Sequence, residues 1–117
     1  MMPTPYSDSD PLPSGADASD QRKIERVIEL VAREYDVSKL LILHHSRCRA
    51  SAARARQVAM YLSHVVLGQS LVDVGRAFGR DRTTVSHACG LIEDQRDDLE
   101  FDARLDRFEA ILNGGQA

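Results

Sequence analysis

Between Leu71 and Ser86 the chain places two glycines four positions apart, Gly75 and Gly79, and a valine, Val85, six further on. Gly75 is small enough to let one helix approach another closely. Gly79, lacking a Cβ, can take the positive φ that a tight turn demands. Val85 is then placed to plug the seam between the two helices. The spacing predicts a helix-turn-helix, two helices crossing at a short glycine-containing turn. Ser70-Leu71-Val72-Asp73 has the form of a capping box and opens the first helix, which runs to Phe78. The second begins around Asp81 to Thr84 and buries Val85, Ala88, Cys89 and Ile92.

The remaining sequence builds the same class of structure around that motif. No period-two run of β-branched residues occurs, so the chain is predicted to be all-α, a helical bundle of about six helices with a disordered N-terminal tail. Ser19 or Asp20 can cap a helix whose apolar positions, Ile24, Val27, Ile28, Val31 and Tyr35, form one stripe. Ser38 caps a short helix from Lys39 to about His44, dense in Leu40, Leu41, Ile42 and Leu43. Residues 46–51 lack periodicity and read as a basic loop. A longer helix follows from about Ala53 to Leu67, with Ala55, Val58, Ala59, Leu62, Val65 and Val66 inward and Gly68 as its stop. A final helix aligns Phe101, Leu105, Phe108 and Leu112 on one face, which suits a core role better than a docking one.

All four prolines fall in the first 20 residues, mixed with Ser, Asp and Gly. Such a segment cannot bury enough apolar surface to offset its ordering entropy. The expected organisation is therefore a disordered acidic tail over 1–19, one helical domain over 20–113 and a flexible C-terminus over 114–117. The tail reads as a solubilising leader or as an interaction arm. No apolar run approaches the ~18–20 residues of a membrane span, and the first residues lack a signal peptide's basic and apolar regions. The cytoplasm is the expected compartment, with no membrane partner.

The formal net charge of −3 alone argues against a nucleic-acid partner, but the charge is unevenly spread. Residues 1–20 carry −4, residues 21–36 are neutral, residues 37–90 carry +6 and residues 91–117 carry −5. A polyanion responds to charge within about 8–10 Å, so a basic middle can bind while acidic ends repel. A merely solvated basic face is the plain alternative. Two cysteines, Cys48 and Cys89, stand 41 positions apart and read as free thiols in a reducing compartment. His44, His45, Cys48, His87 and Cys89 fit no common zinc-ligand spacing, so no metal or other cofactor is expected. Gly75-Arg76-Ala77-Phe78-Gly79 leads into Arg80-Asp81 without the lysine and hydroxyl of a nucleotide-binding loop, and no catalytic constellation stands out. The chain is not expected to be an enzyme.

The second helix of the motif offers Arg82, Thr83, Thr84 and His87 from its first turns. Arginine can hydrogen-bond guanine O6 and N7, a threonine methyl packs on a thymine methyl, and helix N-termini bind phosphate. Arg47 and Arg49 on the basic loop, with Arg54 and Arg56 in the following turn, supply cations against the local helix dipole, a placement that a phosphate would make favourable. An arginine arm can also enter a narrow A/T-rich minor groove. An ordinary helical hairpin, in which Thr83 or Thr84 only caps a helix, is the alternative.

These residues resemble the C-terminal DNA-binding domain of DnaA, the bacterial chromosomal replication initiator. Residues 55–62, A-R-Q-V-A-M-Y-L, are similar to that family's P-R-Q-x-A-M-Y-L. Ser70-Leu71, Gly75 and Ala77-Phe78-Gly79 match S-L-x-x-I-G-x-x-F-G, and residues 80–88, R-D-R-T-T-V-S-H-A, match R-D-H-T-T-V-x-H-A. The resemblance covers about Ile24 to Asp97. It implies that Asp81, Arg82, Thr83 and Thr84 read bases in the major groove and that Arg47 is a minor-groove arm. Arg56 and His87 would contact phosphates and Ser70-Leu71 the backbone; Arg49, Arg54, Gln57 and Arg80 complete the expected DNA-facing set. Arg82 stands where the family has His, Ala55 where it has Pro, and one Gly of its F-G-G-R-D is missing.

The implied partner is double-stranded DNA bearing a short, asymmetric, A/T-rich box, bound by a monomer on the nucleoid, and the implied role is regulation of replication initiation or transcription. The family's ATPase region has no counterpart in the sequence. The rival expectation is a protein-interaction modulator that keeps the fold and acts on the initiator or the replicative helicase through its acidic ends.

Overall fold

A computed structural model describes the backbone of residues 14–43 and 50–114, and side chains from Gln21 onward. Six α-helices form this part: α1 (Ser14–Tyr35), α2 (Lys39–Leu43), α3 (Ala50–Val65), α4 (Leu71–Phe78), α5 (Arg82–Gln95) and α6 (Leu99–Gly114). No strand occurs among the described residues. The predicted all-α bundle is what folds.

Local chemistry sets most boundaries. α1 ends where Asp36 takes φ 56°, a left-handed residue that lets the Val37 N–H reach back to the Ala32 carbonyl at 3.0 Å. The Ser38 hydroxyl accepts the Leu41 N–H at 3.2 Å and opens α2 as expected. α3 gives way at Gly68, with φ 76°. The His64 ring lies 2.7 Å from the Gln69 carbonyl; since a carbonyl only accepts, Nδ1 there carries the hydrogen.

Two starts differ from expectation. α1 begins at Ser14 rather than at a Ser19 or Asp20 cap, so residues 14–19 of the expected tail are helical. α3 begins at Ala50, absorbing Ala50 and Ser51 from the predicted loop together with Ala52, because alanine favours helix. Of the tail expected over 1–19, residues 1–13 lie outside the described residues; of the C-terminus expected over 114–117, Gly114 closes α6 and residues 115–117 lie outside them.

α3 is the central element, packing against α1, α2, α4 and α5. That position explains why it buries more than the predicted stripe. Ala55, Val58, Ala59 and Leu62 face inward as expected, and Ala52, Met60, Tyr61 and Ser63 are buried too. The Ser63 hydroxyl donates to the Ala59 carbonyl at 2.8 Å, so its polar group is satisfied. Val65, predicted inward, is instead 46% exposed. Along α2 only Ile42 is fully buried, while Leu40 is exposed, since so short a helix turns one side inward. Ile24, Val27, Ile28 and Val31 of α1, and Leu105, Phe108 and Leu112 of α6, join the same core, giving α6 the structural role read from its stripe.

Candidate nucleic-acid interface

The α4–α5 pair is assembled by the residues that announced it. The Ser70 side chain accepts the Asp73 N–H at 3.0 Å, capping α4. Gly79 closes α4 with φ 69°, and the Arg80 N–H returns to the Gly75 carbonyl at 2.8 Å. A Cβ on Gly75 would collide with the Arg80 carbonyl oxygen, so the turn folds back where only glycine fits. Val85, Val74 and Phe78 are fully buried at the joint, which is the plug expected of Val85.

Asp81 caps α5. Its carboxylate accepts the Thr84 N–H at 2.8 Å, so the cap is neither Thr83 nor Thr84, the candidates in the plain-hairpin alternative. That backbone bond, then the Thr84 side chain, hold the carboxyl below its ordinary value; slight desolvation opposes them, and the Thr83 N–H adds a little. Beyond the cap, Arg82, Thr83, Thr84 and His87 are all exposed, whereas Val85, Ala88, Cys89 and Ile92 of the same helix are buried. Ser70 is exposed and Leu71 half-buried at the start of α4. The helix therefore offers a polar face of arginine, hydroxyls and imidazole, carried by an apolar one locked into the core.

Three of the other candidate arginines have partners within the fold. Arg54 lies over the Phe101 ring, 5.4 Å from its centroid, joining α3 to α6. Arg56 donates from Nε to the Ile42 carbonyl at 2.8 Å and from Nη2 to the Leu41 carbonyl at 3.2 Å. Arg80 donates from Nη1 to the Phe78 carbonyl at 2.7 Å and the Leu43 carbonyl at 3.1 Å. The cations at the start of α3 thus have internal partners that offset their unfavourable placement, and no phosphate is needed to account for them. Gln57 is half-buried on α3. Arg47 and Arg49 lie outside the described residues, between Leu43 and Ala50.

The imagined zinc cluster does not assemble from its described members. His87 is exposed and Cys89 buried, so the two face apart, and His44, His45 and Cys48 lie outside the described residues. Among the described residues no three His, Cys, Asp or Glu side chains converge on a metal-sized site. Burial, with a smaller push from Glu93, raises the Cys89 thiol to about 11, which leaves it unreactive at neutral pH. No described helix is long and apolar enough to cross a membrane.

Sequence reasoning missed one cluster. Arg96, which follows α5, donates to Asp102, to Asp106 at 2.9 Å, to Glu109 at 3.0 Å and to the Tyr61 hydroxyl at 3.0 Å. Desolvation works to lower its pKa, but the bonds to Asp102, Tyr61 and Glu109 outweigh it and raise it. Three acids of the −5 stretch are thus gathered around one guanidinium.

Comparison with known proteins agrees with this geometry. The family model described as "Bacterial dnaA protein helix-turn-helix" matches residues 24–92. The chromosomal replication initiator protein DnaA of Mesorhizobium japonicum is 51% identical over 93 residues, covering 78% of this chain and 19% of that protein. The DnaA of Brucella abortus is 48% identical over 93 residues, covering 78% of this chain and 18% of its own length. The chain thus spans about a fifth of these relatives. Among solved structures, a DNA replication initiation factor superposes with TM-score 0.75 and 32% identity, covering 83% of this chain and 30% of that one. The replication initiator DnaA bound to AMPPCP and single-stranded DNA superposes with TM-score 0.73 and 31% identity, covering 85% and 30%.

Proposed function

The chain belongs to the family of the bacterial DnaA C-terminal helix-turn-helix domain, and from that premise we propose that it binds double-stranded DNA sequence-specifically and acts in replication initiation. The target is an A/T-rich, DnaA-box-like site, read by a monomer. α5 enters the major groove, where Asp81, Arg82, Thr83 and Thr84 address base edges. His87, Ser70 and Leu71 meet the backbone, and Arg47 and Arg49 supply the basic arm, with Arg54, Arg56, Gln57 and Arg80 behind them. Regulation of initiation, or of transcription from promoters with such boxes, follows from occupying those sites.

One observation carries this reading: Arg82, Thr83, Thr84 and His87 stand exposed together on a helix whose opposite face is buried in the core. A hairpin serving only the fold has no need of that set. The rival reading, a modulator acting through acidic ends, draws on the −5 stretch, yet Arg96 already engages Asp102, Asp106 and Glu109.

Labelled duplexes, one carrying an A/T-rich box and one scrambled, titrated at two salt concentrations, test the proposal. Tighter binding to the box is expected, with a log K against log salt slope near −4 to −5 for roughly 4–6 neutralised phosphates. Thr83→Ala with Thr84→Ala should weaken box binding at least about tenfold and spare binding to scrambled DNA. Equal affinity for both duplexes, or a flat salt response, would overturn it.

A further inference from the structure

Arg80 stands in the α4–α5 turn, one residue before the α5 cap, and ties three elements together. Its backbone N–H is held by the Gly75 carbonyl at 2.8 Å, which fixes it to α4. Its guanidinium reaches back to the Phe78 carbonyl at 2.7 Å and, 37 positions away in the chain, to the Leu43 carbonyl at 3.1 Å. Phe78 is the last residue of α4 and Leu43 the last of α2. Arg56 makes the matching attachment from α3, to the Ile42 carbonyl at 2.8 Å and the Leu41 carbonyl at 3.2 Å.

Consecutive carbonyls at the C-terminal end of α2, which a helix cannot satisfy by itself, therefore take donors from two arginines on two different elements. A five-residue helix cannot hold its own position or even its own form in isolation. Arg56 seats α2 on α3, and Arg80 seats the helix-turn-helix turn on α2. Together they make a platform to which α5 is joined through its cap, Asp81, the residue that follows Arg80.

Resting on the DNA-reading function proposed above, we infer that Arg80 is a positioning residue for base readout: by holding the turn against α2 it sets the angle at which α5 presents Thr83 and Thr84, and it does not act as a phosphate contact. Base readout tolerates little misplacement, because bidentate hydrogen bonds to base edges are directional. Phosphate attraction depends on charge and survives a tilt of the helix.

Arg80→Met and Arg80→Lys, assayed on the box and scrambled duplexes at several salt concentrations, test this. Methionine keeps the stem and removes the donors. Lysine keeps the charge, but its ammonium ends one bond short of the Nη position. For both variants the expected result is a loss of box preference of about tenfold or more, with binding to scrambled DNA and the salt slope of each unchanged, apart from any small general effect of charge in the methionine variant. A phosphate contact predicts something different for methionine: both duplexes weaken alike and the slope loses about one unit, while lysine behaves as wild type. That result, or wild-type selectivity in both variants, overturns the inference. Circular dichroism reports whether each variant is folded; if the methionine variant is not, the lysine variant decides alone. A wild-type chain with no box preference refutes the DNA-reading function itself, and the inference with it, before any variant is compared.

Discussion

Asp81 combines two duties in one carboxylate, since it caps α5 and also stands among the residues proposed to face DNA. The Thr84 N–H that it accepts is the main reason its carboxyl sits below the ordinary value of 3.8. A depressed folded-state pKa means that the ionised form favours the native state. Its contribution is therefore complete above the unfolded-state value and fades as pH falls through that value to the lower folded one. Thermal melts between pH 6 and pH 3 should show the wild type losing stability in acid more steeply than Asp81→Asn, which keeps an acceptor but carries no charge. Asp81→Ala should be less stable than either at pH 6. Parallel acid slopes for wild type and the asparagine variant would show that the cap is not linked to this carboxyl. The helix start was readable near Asp81, because a capping acid precedes its helix in the chain. That Asp81, and not Thr83 or Thr84, supplies the cap was settled only by the backbone geometry at φ −82° and ψ 167°.

At the level of elements, legibility followed sequence distance. The α4–α5 motif rests on Ser70, Gly75, Gly79 and Val85, whose partners lie within a few residues, so spacing alone revealed it. Arg54, Arg56 and Arg80 were legible as charge and no further. Composition cannot say whether a guanidinium faces solvent or meets a carbonyl 14 or 37 positions away. Two helical glycines, Gly75 and Gly90, make the contrast testable. Gly75 is held by a neighbour, since an added Cβ meets the Arg80 carbonyl oxygen and the Asp81 carbonyl carbon, backbone atoms that cannot swing aside. Gly90 lies on the exposed side of α5, with nothing within 4 Å of a Cβ built there. Gly75→Ala should destabilise by about 1–3 kcal/mol through overpacking. Gly90→Ala should stabilise by about 0.5–1 kcal/mol, because alanine loses less backbone entropy in a helix. Urea denaturation of the two variants measures both, and a shift of the same sign in each would contradict the close approach inferred at the turn.

For the molecule as a whole, the acidic C-terminal stretch is a structural charge system as much as a surface. Sequence counting gave residues 91–117 a net −5 and left open whether those acids repel, dock or pack. The folded chain sorts several of them by turning Asp102, Asp106 and Glu109 toward Arg96, whose side chain is only 24% exposed. No spacing rule could have announced this, because the partners of Arg96 stand 6, 10, 13 and 35 positions away and converge only when α6 folds back toward α3. Removing the arginine leaves three neighbouring carboxylates without their shared cation and the Tyr61 hydroxyl without its donor. Arg96→Ala should therefore cost about 2–3 kcal/mol, a magnitude set by the charge-assisted bonds to Asp102, Glu109 and Tyr61. Asp106 is exposed enough for solvent to screen most of its share. In a domain of this size that cost corresponds to a fall in melting temperature of about 10–20 °C. Repulsion among the remaining acids is weakened by salt, so the deficit should shrink between 0.05 and 1 M sodium chloride, over which the screening length falls to about 3 Å. A deficit that stays constant across that range would assign Arg96 to packing alone. DNA binding by the folded variant should keep its preference for the box, because the cluster joins α6 to α3 and touches none of the residues on the exposed face of α5.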